Sequence, residues 1–561
     1  MTTHMKRLLF VYSLIHAFTH SLISYAHIGS AGVIVQKQVG NYQLLVSVQP
    51  PDVVPGTAQV TVYLEKGRAT SIQGRPVYFF EGDEGAPEAE ALKAVGGGRY
   101  EGAIWLMQSG STSIQLTLNG PDGKAEVVIP MLATSTALRE MPAGTGAGLA
   151  VMGLLLVAML VTIIGASNAD GVTAPGSALG KGFRRRRLVG MAIGGVVLVL
   201  ILSGGRMWWN GWADHYRNVQ LYKPVPLISK AIPDQNGQVV LTMRPDTTGF
   251  SQNWQRRRDF NLLVPDHGKL MHTFLVRMPG MDAFAHIHPT RRDSLHYQVG
   301  LPNLPGGRYL VFMDVVYRSG YAETLSDTVD IPAVKVAAAQ AALPRQHGVN
   351  ALFDADDSYL ITEPMGVKQD AVGKLHLDND MVACGKPGAS TRLADGSTMI
   401  WTDKSSPILN AGELYTLKFA VADASGKAAK LEPYLGMPGH AAILRSDGTV
   451  YIHLHPVGTY SMASEAMLVN RIADTSRTAP KPNGAHFRDS IDTYLTQFRA
   501  KPEAEKNAML ALQMPGMNHA DGINNMVTFP YAFPRAGHYR IWVQVKRNGQ
   551  VQTGVFDTQV K

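Results

Sequence analysis

The chain has 561 residues, of which 17% are charged and 45% hydrophobic, and its formal net charge is +8. This length is enough for about three to four domains, and the low charge content favours membrane segments over a wholly soluble protein. The basic residues are not gathered into a large patch, so nothing indicates nucleic-acid binding. The single cysteine, Cys384, excludes an intramolecular disulfide, a Cys-rich zinc site and an iron–sulfur cluster, and it argues against blue copper. We interpret it as a buried or incidental thiol.

The first 26 residues have the pattern of a secretory signal peptide. A basic pair precedes an apolar stretch, and the small residues Ser24 and Ala26 indicate cleavage after Ala26. Two histidines interrupt the apolar stretch, so an uncleaved anchor is the alternative. Cleavage would leave His27 at the N-terminus, where its amine and ring nitrogen together can bind copper. Coincidence is the favoured interpretation of His27, since residues 27–140 contain no other histidine.

Residues 27–140 alternate short apolar runs with turn signals. Runs such as 43–48 and 58–64 have the period-two pattern of strands, and this spacing predicts an all-β sandwich. The motifs Val39-Gly40-Asn41-Tyr42 and Gly98-Arg99-Tyr100-Glu101-Gly102 resemble those of the YtkA-like and FixH-like extracytoplasmic immunoglobulin-type domains. The resemblance implies an immunoglobulin-type fold that accompanies copper handling and oxidase assembly.

Two apolar runs, 147–166 and 188–208, are long enough to span a bilayer as helices. A cluster of three tryptophans from Trp208 to Trp212 fits an interfacial aromatic belt. The connecting loop, 167–187, carries four consecutive arginines from Arg184, and the positive-inside rule places it in the cytoplasm. We therefore predict an inner (plasma) membrane protein with most of the chain in the periplasm or outside the cell. The alternative is a pair of buried helices in a globular core.

Two matched histidine clusters are the most informative feature of the chain. His272 precedes His286-Ile287-His288-Pro289, and His440 precedes His453-Leu454-His455-Pro456. Side chains alternate across a strand, so histidines two positions apart point to one face and can hold one ion. A third imidazole from a neighbouring strand completes a three-nitrogen site that suits copper or zinc. We predict two metal sites: His272, His286 and His288, and His440, His453 and His455. A shared packing motif without metal is the alternative.

Each cluster is predicted to lie in its own antiparallel sandwich, at 225–335 and 395–561. Both are cupredoxin-like in their His-x-His-Pro motifs, and the region between them, 336–394, is predicted to be a linker with some added strands. The second copy carries an insertion in which 489–512 has the composition of a helix. The predicted fold is mainly β, with three extracytoplasmic β-sandwich domains of immunoglobulin- or cupredoxin-like type and a two-helix transmembrane hairpin. This layout is similar to that of the copper-bearing subunit of particulate methane and ammonia monooxygenases.

Methionines near both clusters favour copper, with zinc as the alternative. Thioethers are soft ligands that prefer Cu(I), whereas imidazoles alone take Cu(II) or zinc; ordinary core filling is the other explanation for these methionines. Turn histidines are further candidates, His267 for the first cluster and His519 for the second, although such residues are more often simply solvated. The secondary ligand candidates are His267, Met271, Met281, Met437, Met517, His519 and His27.

Three functions compete. The first is copper handling or delivery by a membrane-anchored protein, which needs no catalytic group. The second is a copper redox subunit of a larger membrane oxidoreductase, and the third is an envelope interaction scaffold without metal. The chain has no Gly-rich phosphate loop and no Gly-x-Ser-x-Gly elbow, so nucleotide chemistry and that type of serine hydrolase are not indicated. The expected partner is a membrane oxidase or a copper-transfer protein, and we do not expect the chain to be an enzyme on its own.

Overall fold

The computed structural model confirms a mainly β chain, with 43% of residues in strands, and two long apolar helices. The chain divides into two compact units, one of residues up to Ala133 together with Lys223–Lys561 and one of Thr134–Tyr222. The predicted signal peptide and Cys384 lie outside the residues that the structure describes. Those are 27–28, 32–138, 141–171, 174–177, 180–235, 237–248, 258–333, 352–365, 367–369, 375–377, 390–402, 409–476, 479–512 and 524–561.

Two antiparallel sheets at the N-terminal end enclose one hydrophobic core. Their strand orders are β2-β3-β4-β8-β7 and β10-β9-β5-β6. In β3, Tyr42, Leu44, Val46 and Val48 are buried while the residues between them are more exposed, because successive side chains point to opposite faces. The strands are β1 His27–Ile28, β2 Val33–Val39, β3 Tyr42–Gln49, β4 Gly56–Lys66, β5 Ser71–Tyr78, β6 Glu90–Ala91, β7 Lys93–Gly96, β8 Arg99–Leu106, β9 Gly110–Gly120 and β10 Gly123–Ala133.

The second unit is a pair of helices, α1 (Ala143–Asp170) and α2 (Phe183–His215), the latter continued by a π-helical turn. Both are long and apolar enough to cross a membrane, with hydropathies of 2.7 and 2.3. They pack through glycines: a Cβ on Gly165 would lie 2.4 Å from Met191 Cγ, so only a small residue permits this approach. The helices extend beyond the predicted spans, and the four arginines form the first turn of α2 instead of belonging to the loop.

A second pair of sheets follows the helices and encloses its own core. The strand orders are β11-β12-β17-β16 and β13-β18-β14-β15-β20, with β19 also paired to β18. The strand β20 comes from the region that we predicted to be a linker, and it extends the sheet beside β15. The strands are β11 Leu227–Pro233, β12 Val239–Pro245, β13 Leu263–Val264, β14 Met271–Arg277, β15 Ala283–Ile287, β16 Thr290–Arg291, β17 Tyr297–Gly300, β18 Gly307–Tyr317, β19 Ala322–Ile331 and β20 Ser358–Ile361.

A third pair of sheets, with a helical insertion, completes the chain. The orders are β23-β24-β25-β28 and β1-β27-β26-β29-β30, while β21 and β22 pair with each other. The predicted helix at 489–512 is two helices, interrupted near Pro502, whose ring removes a backbone donor. The elements are β21 Val367–Gln369, β22 Leu375–Leu377, β23 Ser390–Arg392, β24 Thr398–Trp401, β25 Leu414–Ala422, β26 His440–Arg445, β27 Val450–Leu454, α3 Met462–Ala473, α4 Gly484–Ala500, α5 Glu503–Leu512, β28 Met526–Ala532, β29 Gly537–Arg547 and β30 Gln550–Val560.

The last two sheet pairs pack against each other through the outer faces of two sheets, those containing β14 and β26. Residues of odd number on β14 face their own core, while Phe274 and Val276 join a separate cluster with Ala442 and Leu444 of β26. Stacked aromatic pairs hold the faces together, with ring centroids 4.0 Å apart for Phe312–Tyr451 and 4.8 Å for Phe284–Trp542. The two halves of the repeat therefore meet face to face.

Candidate metal centre

Seven histidines lie together at one end of this face-to-face contact. Six are at most 4% exposed, and the side chain of the seventh, His453, is 7% exposed. On β14, β15, β26 and β27 the side chains of alternate residues face outward, toward the other half. These outward-facing positions hold the aromatic contact along the strands and the histidines toward the strand ends. The set consists of His267, His272, His286, His288, His440, His453 and His455.

The first trio consists of His272, His286 and His288, the combination that the sequence predicts. One ring nitrogen from each lies within 4.8 Å of the others. The ring centroids are 4.7 to 5.3 Å apart, and His272 Nδ1 lies 3.0 Å from His286 Nε2. Nitrogens that bind one ion at about 2 Å are roughly 3 Å apart, so small ring movements are enough to close this trio on a metal.

The second trio has a different membership from the one we predicted. His267 joins His440 and His455 with nitrogens within 4.8 Å of one another, although we expected it beside the first trio. His453 lies between the trios, with its ring centroid 4.5 Å from that of His455 and 5.1 Å from that of His272.

A turn in the first half brings His267 across to the second. Asp266 and Lys269 close a tight turn in which His267 has φ +50°, a left-handed conformation that is uncommon for a residue with a side chain. The corresponding turn of the second half places Leu435 at φ +52°. The repeated turns thus carry an imidazole in one half and an aliphatic side chain in the other, so the two trios are not chemically equivalent.

Oxygen acceptors occupy the Nδ1 atoms of three of these rings. His286 Nδ1 lies 2.8 Å from Gln544 Oε1, His288 Nδ1 lies 2.9 Å from Asp357 Oδ1, and His455 Nδ1 lies 2.8 Å from the carbonyl of Tyr460. Each Nδ1–H therefore donates, which leaves the Nε2 lone pair free to bind. Partners of this kind orient the histidine ligands of metal sites and fix their tautomer.

Six ring nitrogens of the cluster have no hydrogen-bond partner among the described residues. This holds for the buried Nε2 atoms of His267, His288, His453 and His455 and for both ring nitrogens of His440. Buried polar atoms are normally paired, and each exception calls for a physical reason such as a missing ion. A metal ion would satisfy several of these nitrogens at once.

Burial is the largest cause that lowers the pKa values of six of these imidazoles, those of His267, His272, His286, His440, His453 and His455. For His272, His286 and His440, burial and the neighbouring imidazoles both disfavour the charged form, so the pKa lies well below its usual value. For His267, burial lowers the pKa to about 4 although Asp266 opposes it. These rings are neutral at pH 7, which is the state that binds metal.

Carboxylates from the predicted linker close one side of the first trio, and the sequence reasoning missed them. Asp354 and Asp357 form a third ligand-like group with His288. Lys269 Nζ lies 2.8 Å from Asp356 Oδ2 and also pairs with Asp354, which ties this segment to the turn that carries His267. The sequence shows three aspartates between 354 and 357, which could have indicated this ligand group. Their partner, His288, is distant in sequence, so the pairing could not be predicted.

A cavity of about 60 Å³ adjoins both trios. His288 from the first trio and His267 from the second both line it. Its other walls include Leu435 and, on the insertion, Glu503 and Asn507. Because the side chain of Glu503 is 49% exposed, the cavity lies close to the protein surface.

The methionine candidates lie in hydrophobic clusters. Met271 belongs to the core between the second pair of sheets, Met281 to the aromatic contact between the halves, and Met437 to the cluster around the N-terminal core. Met271 adjoins His272 on a strand and therefore faces the opposite way. Met517 and His519 lie outside the described residues, and the backbone of His27 pairs with Val450 on β27. The donors that converge are imidazoles and carboxylates, which suit Cu(II) or zinc.

The comparisons with known proteins give no function. A family model described as a domain of unknown function (DUF8832) matches residues 391–479, a segment that contains His440, His453 and His455. The chain matches no curated protein.

Three solved structures show how distant the likenesses are. An alpha-2-macroglobulin of Salmonella reacted with methylamine is 9% identical over 95% of this chain and 24% of its own, with a TM-score of 0.18. Latent PorU from Porphyromonas gingivalis is 8% identical over 95% of this chain and 34% of its own, with a TM-score of 0.11. A putative membrane-anchored protein from Corynebacterium diphtheriae is 8% identical over 92% of this chain and 90% of its own, with a TM-score of 0.13. This chain spans about a quarter of the length of the macroglobulin, and at these TM-scores the likenesses carry no argument.

Proposed function

We propose that this chain is a membrane-anchored protein that binds copper through its histidine centre and serves copper handling or delivery. The observation that carries the proposal is the convergence of seven buried imidazoles, on which six ring nitrogens have no hydrogen-bond partner among the described residues. Leaving so many polar atoms buried and unpaired costs about 1–3 kcal/mol each, and a bound ion removes that cost. A packing motif alone offers no compensation of this kind.

The anchor is the helix pair α1 and α2, which is long and apolar enough to span a bilayer. Arginines at the start of α2 and Lys181 in the preceding connection support a cytoplasmic position for that connection under the positive-inside rule. The three pairs of sheets are then extracytoplasmic β-sandwich domains of immunoglobulin or cupredoxin type, in the periplasm or outside the cell. Reporter fusions at 174–177 and at the C-terminus test this orientation, and opposite-side signals are expected.

Copper is preferred over zinc on the sequence evidence, although the methionines that suggested it pack in cores. A copper redox subunit is the second candidate, and the cavity beside His267 and His288 favours it because a small molecule can reach both trios. A three-nitrogen site with an open position is the arrangement that such chemistry needs. Turnover would require a partner protein that supplies electrons.

Metal analysis of the full chain in detergent tests the proposal. We expect about two copper ions per chain after reconstitution, close to none in a His286→Ala/His440→Ala double variant, and no change in a His296→Ala control. His296 is a matched control because its ring is 57% exposed and pairs only locally with Asp293. Absence of bound or titratable metal in the unaltered chain would contradict the proposal and leave an interaction scaffold. Competition between copper and zinc then identifies the metal.

A further inference from the structure

We infer that the two trios form one two-metal centre, whose ions interact with each other and face a single cavity. The inference rests on the proposed function but goes beyond it, since metal handling needs only separate sites. The sequence places the histidines in two halves of a repeat, whereas the structure joins them across the contact between those halves.

The two trios lie close to each other. The ring centroids of His272 in the first trio and His267 in the second are 6.1 Å apart. An ion bound at about 2 Å from a ring nitrogen lies roughly 3 Å from the ring centroid, so the two ions are at most about 12 Å apart. At that separation two paramagnetic ions interact measurably.

The seventh imidazole lies between the two trios. His453 belongs to neither trio, but its ring centroid is within 5.6 Å of those of His272, His286, His440 and His455. Its Nδ1 lies 3.5 Å from Asp314 Oδ2, and its Nε2 has no partner among the described residues. A ring held between the trios with one nitrogen unsatisfied fits a centre in which both ions share one ligand set.

The two trios share one cavity. His267 and His288 belong to different trios, yet both line it, and the Nε2 atoms of both are buried without a hydrogen-bond partner among the described residues, with Asp266 Oδ1 3.5 Å from that of His267. The volume of about 60 Å³ accommodates a few non-hydrogen atoms. An ion on each of these nitrogens would therefore present an open position to the same small space.

The arrangement also explains why the halves of the repeat pack face to face. The second ion would have ligands on both sides of the contact: His267 comes from the first half, and His440 and His455 come from the second. Loading the second trio thus crosslinks the two sheet pairs. Metal binding is expected to stabilise the contact between the halves as well as each half by itself.

Electron paramagnetic resonance of the full chain loaded with Cu(II) in detergent tests the inference. At two Cu(II) per chain we expect a dipolar coupling that corresponds to a separation of no more than about 12 Å and that broadens the main signal relative to a chain with one ion. His286→Ala and His440→Ala each remove one trio, and each variant is expected to bind one Cu(II) with a full isolated-spin signal. The His296→Ala control is expected to keep the spectrum of the unaltered chain.

Mixed loading needs no substitution and guards against variants that do not fold. Replacing half of the copper by zinc should narrow the signal toward that of an isolated Cu(II), because many copper ions then lack a paramagnetic neighbour. Two bound Cu(II) ions whose signal shows no dipolar coupling would overturn the inference and leave the proposed function intact. A single ion per chain would also overturn it, whereas no bound metal would sink both.

Discussion

Asp314 on β18 and Gln544 on β29 hold equivalent positions in the two halves, and each contacts a histidine of the other half. In the sheet of the first half, Asp314 lies opposite His272 on the neighbouring strand. In the sheet of the second half, Gln544 lies opposite His440 in the same way. The side chain of Gln544 reaches His286 Nδ1 at 2.8 Å, and Asp314 Oδ2 lies 3.5 Å from His453 Nδ1. The ligands of one half are thus oriented by the other half, which makes the contact between halves part of the metal centre.

Substitution of Gln544 tests this reciprocal support. Gln544→Leu removes the acceptor of His286 Nδ1–H, so the ring loses its fixed orientation, and we expect metal affinity of the first trio to fall about 10–100-fold. The measurement is a competition titration against a chelator of known affinity. Gln238→Leu is the matched control, since Gln238 donates to the carbonyl of Leu301 away from the histidines. Equal affinities for both variants would show that Gln544 does not orient the ligand.

The metal-free protein should lose stability as the pH falls from 7 toward 5. The unfolded chain takes up protons on these histidines near pH 6.5, whereas the lowered pKa values of His272, His286 and His440 keep the folded rings neutral. Unfolding therefore binds protons in this range, and the free energy of unfolding decreases by up to about 1.4 kcal/mol per pH unit for each such ring. Thermal unfolding of the detergent-solubilised apoprotein at several pH values measures the slope.

Replacing one buried histidine by an uncharged residue separates the contribution of that ring to the pH dependence from the contributions of other titrating groups. His440→Gln should reduce the slope by up to about 1.4 kcal/mol per pH unit, because one uncharged buried ring no longer becomes charged on unfolding. The exposed His296 replaced by Gln should leave the slope as it was. A slope that is unaffected by His440→Gln would mean that this ring does not contribute to the acid sensitivity.

Strand alternation predicted that His286 and His288 share a face, and His272 was predicted to join them from a neighbouring strand; the structure places their nitrogens together. The same alternation points Met271 into the core, where the structure places it, although we predicted it to be a secondary copper ligand. Three features depend on tertiary packing and could not be read locally. They are the meeting of the two outer sheet faces, the left-handed turn that carries His267 across, and the approach of Asp357 from a region that appeared to be a linker.

Arg540 is predicted to stabilise the contact between the halves. Its Nε and Nη2 donate to Asp557 at 2.6 and 2.7 Å, and its Nη1 donates to the carbonyls of Met281 and Glu363 in the other half. Arg540→Leu leaves a buried carboxylate unpaired and should lower the free energy of unfolding by about 3–5 kcal/mol, measured by denaturant titration. Arg308→Leu is the control, because Arg308 and its partner Asp330 are 68% and 74% exposed, and little change is expected.

A double variant distinguishes the unpaired charge from the lost contacts. Arg540→Leu/Asp557→Leu removes both charges, so much of the lost stability should return if the unpaired carboxylate is the main cost. If the double variant is as unstable as the single one, the donations to Met281 and Glu363 account for the loss.

Access to the metal centre is predicted to run through the cavity beneath the insertion. Asn507 is a half-buried residue of α5 that lines this cavity together with His267 and His288. Asn507→Trp should fill the space and slow both copper loading and removal by a chelator about tenfold or more, while the number of ions bound at equilibrium stays the same. Stopped-flow absorbance of Cu(II) uptake gives the rates, and Asn507→Ala, which widens the space, should not slow them. Equal rates in the Trp variant and the unaltered chain would place the entry route elsewhere, because a bulky side chain in the cavity must retard an ion that passes through it.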